Sequence, residues 1–175
     1  MSLRSMPYPV DSRARERRAG ARRGFTLIEL LVVVAIMAVL ATIAMPMAEL
    51  TQRRTQEEEL RRSLREIRSA LDQYKRLVDA GHIERAVGAA GYPASLELLT
   101  VGVTDAMSPQ GAKIYLLRSV PRDPFAPASI VNPAETWALR SYASPPEDPQ
   151  PGDDVFDLHS KSPVVGLNGI AYKNW

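Results

Sequence analysis

Arg22-Arg23-Gly24-Phe25-Thr26-Leu27-Ile28-Glu29-Leu30 decides how this chain is read. It sets a basic, small-residue junction directly against a long apolar run that carries one carboxylate. From Phe25 to Met45 the only polar residues are Thr26, Glu29 and Thr42. A helix of that length reaches roughly 31 Å, close to the ~30 Å hydrocarbon core of a bilayer. A glutamate inside such a span costs about 2.5–3.5 kcal/mol at mid-bilayer, and less near an interface. Something must offset that cost, and an intramembrane ionisable residue is a functional candidate by default. An ordinary secretory signal has a shorter apolar core followed by a small-residue cleavage site. Neither that signal nor a plain anchor accounts for Glu29.

Working outward, residues 1–23 hold seven arginines against Asp11 and Glu16. With a formal net charge of +2 for the whole chain, this places +5 ahead of the apolar run and −3 on the rest of the chain, Glu29 included. The positive-inside rule then keeps the basic segment in the cytoplasm and sends everything past Pro46 to the far side. The sequence pI near 9.0 comes from the leading segment, so it is weak support for nucleic-acid binding. There are no cysteines, so the exported part uses no disulfide although its compartment would permit one.

Beyond the apolar run the helical pattern continues. Leu60, Leu64, Ile67, Leu71, Tyr74 and Val78 recur with 4-3-4-3-4 spacing and form one stripe. Glu57, Glu58, Arg61, Arg62, Arg65 and Arg68 read as a solvated face with weak i,i+4 pairs at Glu57–Arg61 and Glu58–Arg62. Gly81 marks the C-terminus. The expectation is one helix from about Thr26 to Ala80, loosened near Pro46, which lacks the N–H and crowds the preceding turn. The remainder reads as a small α+β cap. Tyr92-Pro93 is a turn, and Ser95 is the expected N-cap of a short helix ending at Leu99 or Thr100. Segment 113–118 is open between helix and strand, and Pro121–Pro124 breaks the chain. Segments 136–142 and 155–159 read as strands, joined through a Pro-rich loop over 144–152.

The junction, with Gly-Phe-Thr-Leu-Ile-Glu-Leu between a basic leader and an unbroken apolar span, resembles the processing site of type IV pilins and type II secretion pseudopilins. Pro46 lies where many members carry a helix-loosening proline. Over the cap, Tyr92-Pro93, Leu96, Leu99, Tyr115-Leu116-Leu117, Val120 through Phe125, the strand 137–144, segment 154–160 and Trp175 are similar to the major pseudopilin, the G subunit. Two features depart from it: the leader of about 24 residues is long, with Met6 as an alternative start, and 126–136 lacks the usual glycine-containing turn.

The resemblance implies an α+β, type IV pilin-like fold, with a long N-terminal helix on a small antiparallel sheet and a loop-rich C-terminal region. It divides the chain into a cleaved leader (1–24), a transmembrane and filament-core helix (25–46), its amphipathic continuation (47–81) and a periplasmic cap (82–175). A prepilin peptidase would cut between Gly24 and Phe25 and methylate the new Phe25 amine. Glu29 would pair with that amine, in its own chain or in a neighbour, which would fix the register of a filament. The implied function is a structural, non-enzymatic subunit of a periplasmic pseudopilus for type II secretion; the alternative is a type IV or minor pilin in adhesion, motility or DNA uptake. Implied partners are further copies of the chain, minor pseudopilins, the prepilin peptidase, the inner-membrane assembly platform with its ATPase, and the bilayer. Nucleic acid is not among them. The missing disulfide favours the pseudopilin side.

No cofactor is required, with calcium as an optional ligand. The family's C-terminal calcium loop maps near Leu158 and Asn168, with Asp157 a further candidate, but Lys161 stands where an acid is expected. Calcium normally takes six to eight oxygens, carboxylates among them. His82 and His159 are the only histidines, and no phosphate loop or zinc-type spacing is present, so the sequence offers no catalytic set. His82 reads as a helix-end residue and His159 as a strand-surface one. Phe125, Trp137, Tyr142 and Trp175 are expected in the core or closing the cap.

Overall fold

The computed structural model describes residues 24–175, except the side chains of residues 43–46. The basic leader therefore lies outside the described residues, as does any loosening that the Pro46 side chain causes. The chain divides into two compact units, one ending at Ala44 and the other spanning Met45–Trp175.

Helix α1, Leu27–Asp79, contributes to both units. Its start and stop are each written in local chemistry. At the start the Glu29 N–H donates to Thr26 Oγ1 at 3.2 Å, which satisfies one of the orphan first-turn donors. At the end Gly81 takes φ +80, its N–H reaches the Val78 carbonyl at 3.0 Å, and the His82 N–H reaches Leu77 at 2.9 Å. That double closure is a Schellman motif, and its left-handed position favours glycine.

In the first unit the helix side chains described from Leu27 to Thr42 are all exposed. The segment is long and apolar enough to cross a membrane. In the second unit the same helix is amphipathic. Leu60, Leu64, Ile67, Leu71, Tyr74 and Val78 are all buried, as the 4-3 spacing predicts. Each large aliphatic side chain so buried stabilises by about 1.5–3 kcal/mol relative to exposure.

What covers that stripe is small and loop-rich. Helix α2 (Leu98–Val101) is followed by β1 (Val103–Thr104) and β2 (Lys113–Ile114), paired antiparallel as Val103↔Ile114 and Thr104↔Lys113. A 3-10 turn at Pro133–Thr136 leads into β3 (Trp137–Arg140), which pairs antiparallel with β4 (Asp157–Ser160) in the register Trp137↔Ser160 to Arg140↔Asp157. A last 3-10 turn covers Tyr172–Asn174. Leu96, Leu99, Leu117, Trp137, Val155, Leu158 and Tyr172 join the α1 stripe in one core.

Several local expectations change. Helix α2 starts after Glu97 rather than Ser95, and no side chain caps it. The open segment 113–118 resolves into the two-residue strand β2, after which the Leu116 and Leu117 N–H groups both turn back to the Leu99 carbonyl. Strand β1 was not expected, because two residues are too few to display a period. Thr136 belongs to the 3-10 turn and not to β3, since its hydroxyl donates to Pro133 O at 2.6 Å while accepting the Asp123 N–H at 3.1 Å.

The Pro121–Pro124 break is a buried junction. Asp123 is fully buried, and its carboxylate accepts from the Phe125 N–H at 2.8 Å and the Ser160 hydroxyl at 2.5 Å. Trp137 Nε1 donates to Pro121 O at 2.8 Å. These bonds tie the break to both strands, and they satisfy a carboxylate that would otherwise be costly to bury. In the glycine-free stretch that follows, Arg122 donates to the carbonyls of Pro127 and Ile130 and so orders the loop.

Candidate functional site

The Gly24–Phe25 peptide lies in non-helical, exposed backbone two residues before α1 begins. Space around Gly24 is open, with nothing within 4 Å of where a Cβ would stand. Phe25 is 81% exposed. A peptidase needs an accessible, non-helical bond, and this one lies just outside the helix whose first turn Thr26 caps. The pattern Thr26-Leu-Ile-Glu29 is that of a capping box, with a helix-starting hydroxyl followed three residues later by a glutamate. Glu29 thus occupies the first turn of α1, where the helix dipole favours a negative charge. Among the described residues it makes no ion pair, although it sits in the apolar run.

A second constellation was missed by the sequence reading, and it lies along the supposedly solvated face. Glu57 is 6% exposed, and its Oε1 accepts from the Leu167 N–H at 2.7 Å and the Tyr172 hydroxyl at 2.9 Å. Arg53, one turn earlier, has Nε 4.0 Å from that same oxygen and donates from its other end to the Val165 carbonyl. The Arg61 guanidinium lies 4.3 Å from the Trp175 ring centroid, a cation–π arrangement. Arg68 donates to Asp157 Oδ1 at 2.8 Å, Leu158 O at 3.1 Å and Trp175 O at 2.8 Å. Four charged residues of α1 therefore clasp segment 157–175.

Neither expected i,i+4 pair forms among the described residues; Glu57 pairs backward to Arg53 instead. Burial is the reason, because a carboxylate facing Tyr172 and Leu167 is turned away from Arg61. The signal was present in the spacing. Extending the apolar stripe backward from Leu60 by 3 and then 4 residues lands on Glu57 and Arg53. Glu58, Arg62 and Arg65 are exposed, as expected.

The three calcium candidates do not converge on an open cation site. Asp157 Oδ1 and Leu158 O both face the Arg68 guanidinium. Asn168 Oδ1 accepts the Ile170 N–H at 3.0 Å in a local turn, and Lys161 Nζ donates to Glu135 O at 2.7 Å. A fixed cation already holds two of these oxygens, so as arranged they do not fit a calcium ion. Among the described residues no cluster of three His, Asp or Glu side chains is placed to hold a metal.

The histidines fall into structural places. His82 Nδ1 lies 3.0 Å from Asp105 Oδ1, just past the end of α1. That contact, with the Met107 N–H, pulls the Asp105 carboxyl below its ordinary value. His159 stands on β4 opposite Ala138, where burial pushes its imidazole below the ordinary 6.5. Of the aromatics, Phe125 stacks on Tyr172 at 4.2 Å and Trp175 meets the same ring edge-on at 4.9 Å. The close seat of Trp175 requires glycine at 166, where a Cβ would come within 2.5 Å of the indole. Tyr142 departs from expectation: it is 60% exposed and stacks on Tyr92 at the surface rather than closing the core.

An apolar, then amphipathic helix with a basic junction at its head and a small antiparallel cap on its second half defines a membrane-anchored, pilin-like subunit. The comparisons agree with that class. Residues 20–45 match the prokaryotic N-terminal methylation motif. The chain is 27% identical over 142 residues to the type II secretion system core protein G of Klebsiella michiganensis, covering 78% of this chain and 92% of that protein. No solved structure matches it. These likenesses, together with the fold, support a structural role of the pseudopilin kind.

Proposed function

We propose that this chain is a subunit of a type II secretion pseudopilus. It waits in the bacterial inner membrane with the leader in the cytoplasm and the cap in the periplasm. Prepilin peptidase cuts between Gly24 and Phe25 and methylates the new amine. Copies then polymerise through the apolar half of α1, on an assembly platform and with minor pseudopilins. The observation that carries this reading is the head of α1: an exposed, non-helical Gly24–Phe25 bond one turn from a lone carboxylate in an apolar run. The new amine is the cation that Glu29 otherwise lacks among the described residues. In a low-dielectric surrounding such a pair is strong, and leaving one member alone is costly. The cysteine-free cap and the similarity to a core protein G support secretion over the pilus alternative.

We assign no reaction to the chain itself. The Arg53–Glu57–Arg61–Arg68 clasp holds the C-terminal segment on α1. Mass spectrometry of the chain purified from cells with active prepilin peptidase tests the assignment. A mature chain starting at N-methylated Phe25 is expected, and an intact arginine-rich leader overturns the reading.

A further inference from the structure

The second unit carries an exposed apolar turn that its own core does not use. Val164, Val165, Leu167 and Ile170 are between 42% and 49% exposed. The turn is braced: Val165 bridges to Ala171, the Gly166 N–H donates to Ile170 O at 2.8 Å, and Glu57 and Arg53 hold the Leu167 N–H and the Val165 carbonyl. These side chains are therefore held outward, with no freedom to fold back. Met47 and Leu50, on the first turns of α1 in this unit, are exposed as well.

Exposed charge around the turn is mostly positive. After Asp157 the chain has no further acidic side chain, while Lys161 and Lys173 are exposed. Arg53 and Arg54 add two cations from α1. Glu49 is the exposed carboxylate on these same first turns, and Glu57 is committed inside.

We infer that the 164–170 turn, with Met47, Leu50, Arg53 and Arg54, is a foot that rests on an anionic bilayer surface. The inference rests on the membrane-anchored reading above. Apolar side chains framed by Lys and Arg are the composition of an interfacial contact, in which the apolar part enters the headgroup boundary and the cations meet anionic lipid. Chain connectivity brings the surface near. The apolar run ends at Met45, and Arg53 follows after about 12 Å of helix, within side-chain reach of the headgroup layer. The role is to seat the cap on the membrane before assembly, so that extraction of the subunit must also lift the foot.

The absence of cysteine makes the test direct. Leu167→Cys and Ile170→Cys, each carrying an environment-sensitive fluorophore in the full chain, are placed in nanodiscs holding a single copy. The discs contain phosphatidylcholine with or without phosphatidylglycerol. Val87→Cys, on a fully exposed loop, reports water, and Val39→Cys reports the span. Labels at 167 and 170 should be severalfold brighter than at 87 in anionic discs, and quenched by lipids carrying a headgroup-level nitroxide. Arg54→Gln and Lys173→Gln should each lower the preference for anionic discs about fivefold. Water-like signals at 167 and 170 beside a lipid-like signal at 39 overturn the foot but leave the anchor standing. A water-like signal at 39 overturns both. A response that needs two or more copies per disc assigns the turn to a neighbouring subunit and overturns the lipid assignment.

Discussion

Glu29 and Glu57 sit on the same helix, and each is the one residue out of character in its surroundings. Glu29 lies in the apolar half, where side chains from Leu27 to Thr42 face outward. Glu57 lies in the amphipathic half, at the lower end of a buried stripe. The difference is where their partners are. Glu57 finds Leu167, Tyr172 and Arg53 within its own chain. The Glu29 carboxylate has only the helix dipole among the described residues, and on the proposed reading the processed terminus or a neighbour supplies its partner. One carboxylate builds the fold; the other, on the proposed reading, is kept for assembly.

The largest expected effect breaks the comparison on the Glu29 side. Glu29→Ala should leave cleavage and methylation intact, read by the mass of the mature chain, while filaments disappear from electron micrographs of overexpressing cells. The cap should melt as before. Filaments at the normal level would move the assembly role elsewhere. Next is Glu57→Ala, which leaves the Leu167 N–H and the Tyr172 hydroxyl without their acceptor. Each stranded buried group costs about 1–3 kcal/mol. Amide exchange over 164–172 should speed up accordingly, whereas Glu57→Gln, which keeps an acceptor, should recover most of the protection. If Ala and Gln behave alike, Glu57 is packing and not clasping.

This asymmetry also explains what could be read from the chain alone. The apolar run and the 4-3 stripe are periodic over many residues, so α1 and its buried face were legible nearly to the residue. The head of the helix was legible because its chemistry is local: Gly24, Phe25, Thr26 and Glu29 lie within six positions. The clasp was not, because its partners are far away; Arg68 meets residues 89 to 107 positions on. Charged residues at helical spacing look solvated until something covers them. Two-residue strands such as β1 and β2 have no pattern to read, and only their partners define them.

Arg68 sharpens the comparison at intermediate size. Its guanidinium satisfies Asp157, the Leu158 carbonyl and the Trp175 carbonyl together. The full chain in detergent should therefore melt at the same temperature with calcium as with chelator. Arg68→Ala should lower that temperature and bare the oxygens it held, by an amount in line with about 1–3 kcal/mol for lost charged hydrogen bonds. A calcium-dependent rise in the wild-type chain would mean that the ion competes with Arg68, and that the clasp is not self-sufficient.

The smallest effect is a pH slope. Burial is the main cause that lowers the His159 imidazole below 6.5; Arg68, Lys173 and Arg140 push the same way, and Asp157 opposes them. The unfolded chain then takes up a proton at a higher pH than the folded one. Between the two values the unfolded state binds more protons, so stability rises with pH and falls as pH drops below the ordinary histidine value. Above that value the contribution is fully present. His159→Gln removes the titration, so melting temperature plotted from neutral to mildly acidic pH should be flatter for the variant. The residual slope belongs to carboxylates such as Asp105, whose lowered value places its own loss further into acid. Equal slopes for the two chains would mean that His159 takes up its proton in the folded cap as readily as in the unfolded chain, and that β4 is open to water at that position.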